Sequence, residues 1–117
     1  MAEAELQLSE DGSALHYELV VHNVEGITMA HLHLGKAGEI GTPVAWLYPP
    51  GPPPKLIPRV FDGLLAAGTI TAGDLIGAMR GRPLSQLIDE IRADNVYINL
   101  HTKTHPRGDI CGPVYLK

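Results

Sequence analysis

Between Leu15 and Leu34 the chain spells two stretches whose side-chain character alternates with period two, and no other feature restricts the fold as much. In the first, Leu15, Tyr17, Leu19 and Val21 fall on one face and His16, Glu18, Val20 and His22 on the other. In the second, Ala30, Leu32 and Leu34 oppose Met29, His31 and His33. That period belongs to pleated strands, each with one buried and one wet side. Asn23-Val-Glu-Gly26 between them reads as a turn, so the pair is predicted to form an antiparallel hairpin. A symmetric turn centred on Val24-Glu25 sets Glu18 opposite His31 and His16 opposite His33, which keeps the polar positions of both strands on one side.

The remaining text is punctuated in the same manner. Asp11-Gly12 is a hairpin signal, and Leu6 and Leu8 before it supply a partner strand for the first alternating stretch. Gly35 to Gly41 is a glycine loop, and Pro43 to Tyr48 a short strand carrying Trp46. Six of the 10 prolines follow between Pro49 and Pro58. They describe a stiff extended loop across a sandwich, with an SH3-type ligand as the rival reading. Val60 to Ile70 returns to strand composition, interrupted at Gly63. Helical text is confined to residues 71–94. Thr71 with Asp74 resembles a capping box opening a brief helix through Met79, and Pro83 opens a second whose Leu84, Leu87, Ile88 and Ile91 recur at helical spacing. Both helices are expected to cap one end of the sheets. Val96 to Leu100 is a strand with Tyr97, Asn99 and His101 on its polar face, and Asp109 to Leu116 reads as a final strand. Roughly seven short strands among 13 glycines and 10 prolines predict an all-β antiparallel sandwich or barrel, with residues 1–117 as one domain.

Composition narrows the function classes. With 117 residues and 44% hydrophobic content there is material for one core. Cys111 is the only cysteine, so neither a disulfide framework nor a Cys-rich zinc module is available. No apolar run approaches the eighteen or so residues of a membrane span. Residues 1–40 hold seven acids against Lys36 alone, an imbalance that argues against nucleic acid as a partner. The opening Met1-Ala-Glu-Ala-Glu has neither the basic end nor the apolar stretch of a signal peptide, leaving a cytosolic protein or one whose signal has been removed.

The histidines carry the most specific chemistry. His31 and His33 leave the same strand face about 6.6 Å apart, close enough for both imidazoles to reach one metal ion. His101 becomes a third ligand if its strand lies beside theirs, and His105, four residues on in the connecting turn, a fourth. All-imidazole ligation suits copper or zinc. Glu18 and His16, set opposite by the hairpin register, would then orient the ligands from behind. The plainer reading is a wet sheet face whose histidines bond to neighbours such as Glu18, Asn99 and loop carbonyls. Other constellations are weaker. Ser9, Ser13 and Ser85 lack a nucleophile-elbow context. Gly35, Gly38 and Gly41 lack the Lys-Ser/Thr end of a phosphate loop. Arg107-Gly-Asp109 spells the integrin tripeptide but reads as a tight turn, and Cys111 as a small apolar filler. No catalytic acid/base pair falls in one cleft.

The text Ala30-His-Leu-His-Leu-Gly35, Gly38, Gly41-Thr-Pro-Val44, Tyr97-Ile-Asn-Leu-His-Thr102, His105-Pro-Arg-Gly-Asp-Ile110 and Gly112 resembles the CHRD (chordin) domain family over nearly the whole chain from about Leu6. The resemblance implies a Greek-key β-sandwich, immunoglobulin-like or superoxide-dismutase-like, with a helical insert near 71–94. It also implies a non-enzymatic binding or scaffold role in the extracellular space or cell envelope, with a protein or envelope partner. The His31-x-His33 pair is similar to the copper-ligand pair of the Cu/Zn superoxide dismutases. Dismutation would need a bridging imidazole, a zinc neighbour or an equivalent, and an anion-guiding arginine, and the sequence supplies no clear fourth strand-borne histidine and no acidic zinc loop. Two departures stand out. Only Met1 to Glu5 precede the strand at which the family pattern is joined, so an edge is expected to stay open to a second copy of the chain. Cys111 stands where the family commonly has arginine.

Overall fold

A computed structural model describes residues 1–36, 41–106, 108 and 110–117. The rest of the glycine loop, Gly38 included, and Arg107 and Asp109 of the Arg-Gly-Asp tripeptide lie outside the described residues. Among the described residues eight strands are laid down in order: β1 Ala2–Leu8, β2 Leu15–Glu25, β3 Ile27–Leu34, β4 Thr42–Tyr48, β5 Val60–Ile70, β6 Val96–Thr102, β7 Ile110–Gly112 and β8 Val114–Leu116. They form two four-stranded sheets, β5-β2-β1-β8 and β4-β3-β6-β7. Between the sheets lie the apolar halves of the alternating patterns, with Leu6, Leu15, Leu19 and Val21 from one and Leu32, Leu47, Ile98 and Leu100 from the other almost fully removed from water. The sheets are tied directly where the buried Tyr17 hydroxyl donates to the Leu47 carbonyl at 2.8 Å.

The all-β sandwich with a small helical insert is as read from the sequence. The β1–β2 hairpin is too, with Leu8 opposite Leu15. In its turn Asp11 accepts from the Ser13 hydroxyl and amide and from the Ser9 hydroxyl, bonds that hold its carboxyl down to about 2.

The second hairpin does not form. β2 pairs with β1 and β5, whereas β3 pairs with β4 and β6, so the two alternating strands belong to different sheets. The reason is local. β2 runs on to Glu25 and β3 begins at Ile27, leaving Gly26 alone at φ +70°, too short a link to fold one strand back on the other. Gly26 instead turns a corner, its amide bonded to Arg59 on the first sheet's side and its carbonyl to Lys103 at the end of β6. The crossing keeps the apolar faces of both strands in one core and sends their polar faces to opposite outer surfaces. Glu18 and His16 are therefore nowhere opposite His31 and His33.

Other differences are smaller. The helix expected through Met79 is two 3-10 turns, Ala72–Asp74 and Gly77–Met79, because Gly77 sits at φ +58°, outside helical geometry. The Thr71–Asp74 capping box is present, with the Thr71 amide donating to Asp74 at 2.9 Å. The second helix, α1 Leu84–Arg92, buries Leu84, Leu87, Ile88 and Ile91 as its spacing predicts. The proline segment runs beside the start of β3, with the Lys55 and Ile57 amides bonded to Thr28 and Ile27. The single terminal strand is two, broken at Pro113: β7 stays with β6, and β8 crosses to pair with β1. That last pairing is parallel, the one departure from the antiparallel arrangement among the described strands. It also closes the edge expected to stand open beside β1, leaving β5 and β8 as the outer strands of that sheet.

Candidate metal centre

The outer face of the β4-β3-β6-β7 sheet is unlike an ordinary wet surface. His31 stands between Trp46 of β4 and Asn99 of β6, and Asn99 in turn stands opposite Cys111 of β7, so one row crosses all four strands. His33 faces Tyr97, and His101, two residues beyond Asn99, completes the polar set. Alternation would leave these side chains in water, yet His31 is 5% exposed, Asn99 6%, His33 8% and His101 9%. Residues of two loops lie over them. Gly41, ending the glycine loop, donates its amide to the Tyr97 hydroxyl, while Pro106 and Gly108 of the β6–β7 loop bond to His101 and Asn99.

β3 and β6 bring His31, His33 and His101 together. Each ring offers a nitrogen within 4.8 Å of those of the other two. Their centroids are 5.3 Å apart for His31–His101, 5.9 Å for His31–His33 and 6.4 Å for His33–His101. Each ring also holds a buried nitrogen with no hydrogen-bond partner: His31 Nδ1, His33 Nε2 and His101 Nε2. His101 has its tautomer set by the backbone, since Nδ1 lies 2.8 Å from the Pro106 carbonyl and must donate to it, leaving a lone pair on Nε2. His33 Nδ1 faces the Tyr97 hydroxyl at 3.5 Å.

His31 and His33 are neutral at pH 7. Burial, with the His101 and His33 imidazoles close by, lowers the His31 pKa from 6.5 to about 4. Burial and His101 bring His33 to about 4 as well, against a hydrogen bond to the Gly41 backbone that works in the other direction. Among the described residues the cluster contains no carboxylate and no thiolate, and the Cys111 side chain is exposed.

The histidines of the opposite sheet behave differently. His16 bonds to the Thr69 hydroxyl at 3.0 Å, and His22 lies 3.3 Å from Glu3 and 3.7 Å from Asp62. They satisfy the plainer reading of a histidine on a wet strand. His105 is exposed in the β6–β7 turn, where its backbone amide bonds to Thr102, and it stands outside the three-imidazole group. Asn99 and Trp46 were not singled out as site residues by sequence reasoning. The one available signal was that Asn99 shares the parity of His101 in a strand whose other face is wholly apolar.

Residues 1–114 match the family model of the CHRD domain. No curated protein matches the chain, and no solved structure does.

Proposed function

The chain belongs to the CHRD domain family, and on that footing we propose that this member is a non-enzymatic metal-binding sandwich in which His31, His33 and His101 hold one copper or zinc ion. The reading rests on three buried ring nitrogens, each lacking a partner, on three side chains gathered in one place. Leaving a buried polar atom unpaired costs about 1–3 kcal/mol, and three such atoms together are hard to reconcile with histidines that merely decorate a face. One cation satisfies all three. Ligand nitrogens around zinc or copper lie about 3.3 Å apart, so rings with nitrogens within 4.8 Å close onto an ion by side-chain shifts of under about 1 Å each.

The donor set selects the ion. Neutral imidazoles suit Cu(II) and Zn(II), whereas calcium and magnesium require oxygen ligands. The low proton affinity of His31 and His33 means that no proton has to be displaced at neutral pH. A site free of thiolate also withstands the oxidising extracellular setting that is frequent in the family.

Calorimetric titration of untagged, metal-stripped protein with Cu(II) and with Zn(II) tests the reading. One equivalent is expected to bind, and His31→Ala and His101→Ala should each abolish stoichiometric uptake. Absence of binding heat for the wild type with both ions would overturn it.

A further inference from the structure

Three imidazoles leave one polar atom of this face unexplained. Asn99 is 6% exposed and stands opposite His31. Its Nδ2 lies 3.2 Å from the Gly108 carbonyl, which can only accept, so the amide orientation follows and Oδ1 points elsewhere. Oδ1 has no partner. Gly108 shows where it points. A Cβ built on that glycine would overlap Asn99 Oδ1 and come 3.0 Å from His101 Nε2, so Oδ1 takes up the volume a side chain at 108 would fill and lies on the same side of the sheet as that unpaired ring nitrogen. Gly108 adopts φ +82°, a conformation that also favours glycine.

An ion held by three imidazoles has a coordination position to spare. Resting on the metal-site reading above, we propose that Asn99 Oδ1 accepts a hydrogen bond from a water at this fourth position, so that the bound ion carries an exchangeable ligand. Oδ1 can only accept, and a coordinated water is a strong donor, so each supplies what the other lacks. The carboxamide is neutral and leaves the charge of the ion undiminished, which favours replacement of the water by a small anion of the size of azide. Asn99 is a positioning residue in this scheme and not a ligand.

Protein loaded with one equivalent of Cu(II) provides the test. Pulsed electron-nuclear spectroscopy of the wild type is expected to detect strongly coupled protons that vanish in deuterated water, distinct from the weakly coupled remote imidazole N–H protons. Azide should displace that signal with the appearance of a charge-transfer band. In Asn99→Ala copper stoichiometry should stay at one, while azide affinity rises roughly fivefold because the water loses its acceptor. Copper bound without strongly coupled exchangeable protons would mean a closed site or direct ligation by Oδ1 and would overturn the inference, leaving the three-histidine reading intact. Unchanged azide affinity in Asn99→Ala would do the same. A wild type that takes up no copper overturns both. The proton measurement needs no variant and decides the matter even where Asn99→Ala fails to fold.

Discussion

Trp46 stands opposite His31 in the β3–β4 ladder, and its ring meets the imidazole edge-on with centroids 4.3 Å apart. It is the only tryptophan in the chain, so the cluster carries its own reporter. Stoichiometric Cu(II), which is paramagnetic, is expected to quench most of the intrinsic tryptophan emission, while Zn(II), a closed-shell d¹⁰ ion, leaves its intensity nearly intact. His31→Ala should remove the copper effect. Steady-state emission during titration is the measurement, and full emission in copper-saturated wild type would contradict this placement of the ion.

Burial of neutral imidazoles predicts a pH dependence of known sign. The pKa values of His31 and His33 are about 4 in the folded protein and about 6.5 in the unfolded chain, so between those values the unfolded chain binds more protons. Their contribution to stability is fully present above about pH 6.5 and is lost as pH falls toward 4, at up to about 1.4 kcal/mol per pH unit for each ring. Urea midpoints of metal-free protein, measured from pH 7.5 to pH 4, should fall across that window. His31→Ala should flatten the profile; a wild-type midpoint that stays level would show that the rings protonate freely in place.

The Tyr17 hydroxyl ties the two sheets directly, donating to the Leu47 carbonyl at 2.8 Å in the core. Tyr17→Phe keeps the ring and removes the donor, leaving that carbonyl unpaired. A loss of about 1–3 kcal/mol is expected in denaturant unfolding, with metal uptake unchanged because Tyr17 belongs to the opposite sheet. A neutral result would mean that water reaches the carbonyl.

Gly108 is required twice, for its φ of +82° and for the space its missing side chain leaves against Asn99. Gly108→Ala should displace the β6–β7 loop from over His101 and Asn99 and weaken metal affinity at least about tenfold, an effect the size of a lost supporting contact around a metal. The sandwich itself should survive, since this loop is outside the core. Affinity by calorimetry beside circular dichroism separates the two effects.

Much of the fold was legible because alternation is a local property of the strand. Leu15, Tyr17, Leu19 and Val21 announce a buried face whatever they pack against, and Leu84, Leu87, Ile88 and Ile91 announce the helix in the same way. Pairing is not local. The pattern from Leu15 to Leu34 is equally consistent with one hairpin and with a strand that crosses the sandwich, since both put the apolar positions inside. The choice turned on β2 running to Glu25 and on the bonds that hold Gly26 at the corner. Placing Glu18 and His16 behind the cluster failed for that reason alone.

The sequence by itself determined the class of donor. A single cysteine rules out a thiolate cage, the His-x-His on a strand makes imidazole the donor to look for, and the parity of His31, His33 and His101 put all three on outward faces. Only the tertiary structure decided that β6 lies beside β3, bringing His101 to the pair, and that Asn99 stands opposite His31 while His105 stays apart. It alone decided, too, that these outward faces are dry. Burial of an outer sheet face depends on loops arriving from elsewhere in the chain, here through Gly41, Pro106 and Gly108, and no periodicity within a strand records what will later lie across it.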